Sequence, residues 1–321
     1  MKKNITFFGA SVTEQNNGYV DYFKNKKDIM QNYTVHKYGY GSMHLKDAGI
    51  IYIDLVLDTK PQYCFLDWFE TYFVPPKEIL TEYLDTIVYK LFSNNCLPIF
   101  LLPYGDETIL YPDRIRMYND ATDYAKEYNI PHISIYNHKQ MQQYDTSTLL
   151  RDAVHTTEIG SKLYADIIYY QFINEIHGRF DLPNNPELEF PLYSPRTFPS
   201  KTRFHDIKKI DFSHDTIVLE TINIHGKGKI IGLHQNIGPH SGLVEFSNGE
   251  CKQKYNLWDV WCHYCRDNIK IEIEFDGELT IKILHDSFDT SSAKQQFEPV
   301  KKYIKPYVLY YIGKIDSLTY K

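Results

Sequence analysis

The first 178 residues alternate between short, continuously apolar runs and longer segments with apolar residues at helical spacing. The short runs include "NITFFGA", "QYCFLDWF" and "CLPIFLLPYG", and such runs are typical of strands buried on both faces of a sheet. The longer segments include "PKEILTEYLDTIVYKLFSNN" and "TTEIGSKLYADIIYYQFINEIHG", each with an apolar stripe. This alternation predicts an α/β domain over residues 1–178, in which a parallel sheet lies between two layers of helices.

The pattern changes after Gly178. Residues 179–200 contain five prolines, a density that no helix or strand tolerates, so this stretch is predicted to be a linker. Short runs of alternating apolar and polar residues follow and predict an all-β domain over residues 201–321, built as a sandwich or jelly roll. Within residues 269–283, the Asp276-Gly277 pair predicts a β-hairpin turn.

Composition restricts the class of protein. With 43% hydrophobic and 24% charged residues among 321, the chain has the composition of a packed globular protein. The net charge is -6 and no basic stripe of the kind that binds phosphate backbones is present, so nucleic acid is not an expected partner. The 28 tyrosines and 18 phenylalanines fill cores, and they also permit a surface that stacks on sugar rings.

Targeting, redox and metal signals are weak. The apolar run at residues 5–8 is shorter than a signal-peptide core of ~7–15 residues, and no stretch approaches the ~20 apolar residues of a membrane span. Five cysteines are an odd number in a chain of this size, which predicts reduced thiols and a cytoplasmic protein. Cys262 and Cys265 have C-x-x-C spacing without the second pair that a zinc site usually has, so a metal is not expected. No organic cofactor is implied either.

A serine follows the first strand-like run, in the turn Gly9-Ala10-Ser11. This position, past the carboxyl end of a strand, is where α/β enzymes present a nucleophile. A nucleophilic serine needs a histidine that accepts its proton and a group that orients the histidine. Asp152 precedes His155 by three residues, so its carboxylate can bind Nδ1 and leave Nε2 free. Alternatively, Asp152 caps a short helix and His155 is an ordinary surface residue.

The motifs "FFGASV" and "DAVH" resemble, in their order and their positions at predicted strand and helix ends, those of the SGNH/GDSL hydrolases. The resemblance covers residues 1 to about 176 and rests on Gly9, Ser11, Asp152 and His155. It implies a flavodoxin-like, three-layer α/β fold. It also implies that Ser11 is the nucleophile, His155 the base and Asp152 the acid that orients the base.

The resemblance also implies an oxyanion hole. "GYGSMHLKDA" resembles the family's second block, so the backbone N–H of Gly41, or of Gly39 in a less fitting register, is expected to bind the oxyanion together with that of Ser11. The third block departs from the family, because "CFLDWFETYF" lacks the G-x-N-D motif whose asparagine completes the hole. Glu70 and Thr71 lie nearest that asparagine's place. The Thr71 hydroxyl is a candidate donor, whereas an ionised Glu70 would repel an oxyanion.

Three residues near the expected site are candidate substrate contacts, namely Trp68, Glu70 and Tyr104. Trp68 is expected either in the core or as a platform for an acyl group or a sugar ring. Tyr104 is a candidate by position alone, because it follows the strand-like run "CLPIFLLP".

The resemblance implies a serine esterase or acyl hydrolase, with an acylated small molecule or glycan as its partner. The appended, aromatic-rich β domain favours a carbohydrate substrate, from which an O-acyl group, in particular acetyl, is removed. Two alternatives stay open. An O-acyltransferase acting on a surface polysaccharide would use the same three residues and a sugar hydroxyl in place of water. A non-catalytic glycan-binding protein would keep those residues without using them.

Overall fold

The structure is a computed structural model, and it describes residues 2–69, 74–105, 112–177, 207–212, 220–238, 242–248, 251–256, 266–270, 273–284 and 306–320, together with the single residues 291, 293 and 295. The chain divides into two compact units, Met1–His205 and Asp206–Lys321. The predicted linker over residues 179–200 lies outside the described residues.

The first unit contains the predicted parallel sheet, which is confirmed. Its five strands follow the order β2-β1-β3-β4-β5, and every neighbouring pair is parallel. The strands are β1 (Lys3–Gly9), β2 (Tyr33–Gly39), β3 (Tyr63–Asp67), β4 (Leu97–Leu102) and β5 (His132–Ser134).

Helices connect these strands. They are α1 (Ser11–Glu14), α2 (Tyr19–Lys24), α3 (Lys27–Asn32), α4 (Ile53–Asp58), α5 (Lys77–Ser93), α6 (Pro112–Glu127), α7 (Thr146–Leu149) and α8 (Glu158–Gln171). Single π-helical segments, Leu45–Gly49 and Phe172–Ile176, lie before α4 and after α8. Among the helices of the described residues, none combines the length and the apolar character that a membrane crossing needs.

Aromatic rings fill both faces of this sheet. On one face, Phe7 of β1 stacks on Phe65 of β3 with ring centroids 4.5 Å apart, and Phe23 of α2 and Phe172 pack against this pair. Because successive side chains of a strand point to opposite faces, Phe8 lies on the other face. There its ring meets Trp68 edge to face. Both faces are therefore covered, as the continuous apolar strands predicted.

The strand order reverses at β1. The chain leaves β1 to form β2 on one side of it and returns to form β3 on the other. Open α/β sheets bind ligands where the order reverses in this way, outside the carboxyl ends of the strands. Gly9, the last residue of β1, pairs with Gly39 of β2 and Asp67 of β3. The residues that follow these three lie at the same edge.

The second unit is an antiparallel β structure, which confirms the coarse prediction of an all-β domain. Its strands follow the order β6-β12-β7-β11-β8-β9, and β10 also pairs with β7. The strands are β6 (Lys208–Asp211), β7 (Thr221–Ile237), β8 (Leu243–Ser247), β9 (Lys252–Asn256), β10 (Arg266–Lys270), β11 (Ile273–Leu284) and β12 (Pro306–Tyr320). Alternate residues of β11, including Phe275, Leu279 and Ile281, enter the core of this unit.

The predicted hairpin at Asp276-Gly277 is wrong. Strand β11 runs straight through this pair, and Gly277 lies opposite Gly226 of β7. Both glycines have positive φ, +99° at Gly277 and +157° at Gly226. A hairpin turn and a kink inside a paired strand both favour glycine at positive φ. The Asp-Gly pair therefore coincides with a backbone irregularity. This irregularity lies within β11, because β7 pairs with β11 on both sides of it.

The two strands at the ends of this sheet order are rich in lysine. β6 begins with Lys208 and Lys209, and β9 carries Lys252 and Lys254. All four side chains are exposed.

Removing one ring of the stacked pair in the first unit should destabilise the fold. Phe65→Ala leaves a cavity beside Phe7, and we expect it to lower the free energy of unfolding by about 3–5 kcal/mol, measured by urea denaturation. Tyr170→Ala is the control, because Tyr170 is 61% exposed; its effect should stay within about 0.5 kcal/mol. Equal effects of the two substitutions would contradict the packing described here.

Candidate active site

Ser11 is the first residue of α1, two residues past the end of β1. The turn between them has no room for a side chain at Gly9. A Cβ there would lie 2.4 Å from the Asp67 carbonyl oxygen and 2.5 Å from Thr13 Oγ1. The glycine of the motif therefore lets β1 end directly against β3, and this fixes where Ser11 begins the helix.

His155 lies in a short loop between α7 and α8. Leu150 and Thr156 form an isolated antiparallel bridge across the base of the loop, and the Arg151 N–H donates to the His155 carbonyl oxygen at 2.9 Å. Inside the loop, Asp152 Oδ1 accepts the backbone N–H groups of Val154 at 3.0 Å and His155 at 2.8 Å. The D-x-x-H spacing thus closes a turn in which the carboxylate also reaches the imidazole.

The three residues selected from the sequence meet in space. His155 Nε2 lies 2.9 Å from Ser11 Oγ, and His155 Nδ1 lies 2.8 Å and 3.0 Å from the two carboxylate oxygens of Asp152. A carboxylate can only accept, so Nδ1 carries the proton and Nε2 offers its lone pair to the serine hydroxyl. The His155 side chain is 26% exposed, so the site is open to solvent.

The electrostatics keep Asp152 ionised. Partial burial by itself would raise the pKa of the Asp152 carboxyl. The hydrogen bonds from the backbone N–H groups of His155 and Val154, and then from the imidazole, outweigh it and hold the pKa below its ordinary value. A carboxylate that stays charged can stabilise an imidazolium on His155 when that ring accepts a proton.

A second link between the two halves of the site was not predicted. Gln15, directly after α1, donates from Nε2 to the Thr156 carbonyl oxygen at 2.9 Å, and Thr156 Oγ1 donates to Gln15 Oε1 at 3.4 Å. Thr156 Oγ1 also lies 2.6 Å from Ser161 Oγ in α8. In the sequence, Gln15 and Thr156 stand out only because each lies next to a motif. This contact could therefore not be predicted without the structure.

Asp67 pairs with Gly9 of β1, next to the turn that carries Ser11. It lies 2% exposed at the end of β3, and Asp67 Oδ2 accepts hydrogen bonds from Thr13 and Tyr19. Burial raises the pKa of its carboxyl to about 6, although these two hydrogen bonds act in the opposite direction.

Gly39 is the last residue of β2, and Gly41 lies two residues beyond it. A Cβ on Gly39 would lie 2.2 Å from the backbone nitrogen of Glu14 in α1, whereas a Cβ on Gly41 would lie 2.4 Å from Glu14 Oε2. The Tyr40 N–H donates to the Gly9 carbonyl oxygen at 3.0 Å, which holds this segment against the end of β1. Both candidate glycines therefore lie beside the helix that carries Ser11.

The candidate substrate contacts fare differently. Trp68 is completely buried (0% exposed) and packs on Phe8. Of the two alternatives for this residue, a place in the core is therefore correct, and the prediction of a platform for substrate is wrong. Tyr104 is half-buried, and its hydroxyl lies 2.9 Å from Thr146 Oγ1. Glu70 and Thr71 lie outside the described residues.

Within the described part of the chain, no cluster of three or more histidine, cysteine or acidic side chains could hold a metal ion. Cys262 and Cys265 lie outside that part.

The comparisons with known proteins concern the fold. No protein-family model matches the sequence. No curated protein matches it. A two-domain esterase active on acetylated mannans has a similar structure over 98% of this chain and 92% of its own, with a TM-score of 0.68 and 13% identity. Its structure co-crystallised with mannopentaose covers 98% and 91% of the two chains, with a TM-score of 0.68 and 14% identity.

A member of the lipolytic protein G-D-S-L family from Veillonella parvula DSM 2008 covers 54% of this chain and 99% of its own, with a TM-score of 0.44 and 18% identity. The chain thus shares the fold of the two-domain esterase over nearly its whole length. At 13% identity, this likeness shows the fold alone.

The two glycines should respond differently to an added methyl group. Gly39→Ala drives a Cβ into the backbone of α1, which cannot yield without moving Ser11, so we expect a loss of about 1–3 kcal/mol in the free energy of unfolding. Gly41→Ala meets only the end of a flexible side chain and should cost less than about 1 kcal/mol. Urea denaturation of both variants tests this, and equal losses would contradict the described approach of α1 to β2.

Proposed function

We propose that this chain is a serine esterase of the SGNH type that removes O-acetyl groups from a carbohydrate. The observation that carries the proposal is the continuous hydrogen-bonded line from Ser11 Oγ through His155 to Asp152 at the carboxyl end of β1. A serine, a histidine and a carboxylate in this order form the arrangement that activates a hydroxyl for acyl transfer.

The proposed reaction uses this hydrogen-bonded line. His155 Nε2 accepts the proton of the Ser11 hydroxyl as Oγ attacks the carbonyl carbon of the acetyl ester. The backbone N–H groups of Ser11 and Gly41 donate to the oxyanion of the tetrahedral intermediate, and Thr71 stays a predicted third donor. The imidazolium then gives its proton to the departing sugar oxygen, and an acetyl-serine remains. Water, deprotonated by His155, attacks the acetyl group, and acetate and free Ser11 result.

An acetylated glycan is the substrate class that has the most support. The structural neighbour that covers 98% of this chain is described as active on acetylated mannans. The tyrosine and phenylalanine content of this chain, 28 and 18 residues, suits a surface that contacts sugar rings.

We also propose boundaries for the domains and a fold type for the second one. The catalytic domain spans residues 1–178, the linker 179–200 and the accessory domain 201–321, which is sandwich-like or jelly-roll-like. Two features support the sandwich-like or jelly-roll-like fold. β7 and β12 are 17 and 15 residues long, and their pairing contains register shifts. Such bulges let long strands bend around a core.

Covalent labelling tests the nucleophile. A fluorophosphonate should attach to Ser11 alone, as seen by intact mass and peptide mapping. Acetate release from an acetylated manno-oligosaccharide should fall at least ~10³-fold in Ser11→Ala and His155→Ala and strongly in Asp152→Asn, because the three groups act as a unit. Ser93→Ala, an exposed serine at the end of α5, is the control and should label and turn over normally.

The same experiment separates the alternatives. Acetyl transfer to an added sugar that exceeds acetate release would identify an acyltransferase. A folded protein that neither labels at Ser11 nor releases acetate, yet still binds the oligosaccharide, would overturn the esterase proposal in favour of a glycan-binding protein.

A further inference from the structure

A buried carboxyl group lies next to the turn that carries Ser11. Asp67 Oδ2 accepts a hydrogen bond from Thr13 Oγ1 at 2.7 Å and another from the Tyr19 hydroxyl at 2.9 Å, and the two hydroxyls lie 2.8 Å from each other. Thr13 is 0% exposed and Tyr19 is 1% exposed. The other carboxyl oxygen, Oδ1, is buried and has no hydrogen-bond partner in the described part of the chain.

The two hydroxyls come from the elements that frame the nucleophile. Thr13 belongs to α1 and lies two residues after Ser11, whereas Tyr19 begins α2. The backbone reinforces this contact, because the Ala10 N–H donates to the Asp67 carbonyl oxygen at 3.1 Å. One residue at the end of β3 therefore holds the turn before Ser11 through its backbone and the helix after Ser11 through its side chain.

Helix α1 is too short to fix its own orientation. It contains four residues, and its N-cap Ala10 provides no side-chain hydrogen bond. A helix of that length is not stable by itself in water, because nucleation is unfavourable and no propagation follows. Its orientation must come from tertiary contacts, and a shift of about 1 Å in a nucleophile can lower the rate ~100-fold.

We propose that Asp67 is a positioning residue that holds Ser11 Oγ in line with His155 Nε2 through Thr13 and Tyr19. This inference rests on the proposed esterase function and adds a residue to that site. Charge suits the role, because hydrogen bonds to a carboxylate are about twice as strong as those between neutral groups. A neutral amide of the same shape would accept more weakly and would bury an NH₂ group where Oδ1 now lies without a partner.

Asp67→Asn tests the role, with p-nitrophenyl acetate as substrate. We expect kcat to fall ~10- to 100-fold with KM within twofold, and the rate of fluorophosphonate labelling at Ser11 to fall by the same factor. Thr13→Val and Tyr19→Phe each remove one donor and should lower kcat less. Combined with Asp67→Asn, neither should lower it further, because the three groups act through one contact.

A matched control separates positioning from stability. Asp85 and Tyr124 form a similar buried carboxyl–hydroxyl pair, 2.8 Å apart, between α5 and α6. Asp85→Asn should lower Tm and leave kcat per folded molecule unchanged. The positioning role is overturned if Asp67→Asn does the same, or, should that variant not fold, if Thr13→Val and Tyr19→Phe keep full kcat.

A crystal structure of Asp67→Asn gives a readout that needs no activity. The distance from Ser11 Oγ to His155 Nε2 should exceed the ~3.5 Å limit of a hydrogen bond. Wild-type protein that does not label at Ser11 would overturn the esterase function, while an unchanged distance in the variant would overturn the positioning role alone.

Discussion

The close approach of three strand ends is the constraint on which the candidate site depends. Gly9 faces Gly39 on one side and Asp67 on the other. A side chain on Gly9 would collide with the Asp67 carbonyl oxygen, and one on Gly39 would collide with the backbone of α1. Because these positions have no room for side chains, the strand ends at Gly9 and the chain turns directly into α1. Steric limits therefore set where the chain turns after β1, and the proposed positioning by Asp67 acts on the short helix that follows this turn.

The two halves of the site are built in different ways. Ser11 takes its position from the sheet, whereas His155 takes its position from a small loop closed by its own backbone and by Asp152. These halves lie 144 residues apart in the chain. The contact of Gln15 with Thr156 joins them next to the reacting atoms, so the distance between serine and imidazole does not depend on the sheet alone.

The sequence allowed prediction of whatever depends on local pattern. Continuous apolar runs gave the strands of the first unit, and the D-x-x-H spacing gave the pairing of Asp152 with His155, because both depend on neighbours in the chain. The partners of Asp67 could not be predicted, since they require β3 to lie beside β1. Trp68 was ambiguous for the same reason, because only the packing of the second face decides whether its ring meets a core or a substrate.

The lysines at the ends of the second sheet have a consequence for how copies of this chain behave beside one another. An end strand has backbone groups free to pair with a strand of another molecule, which is how sheets extend into fibres. Pairing through β6 or β9 would set Lys208, Lys209, Lys252 and Lys254 of one copy about 4.8 Å from the strand of the next. Repulsion between like charges opposes that step when β6 or β9 of two copies approach each other.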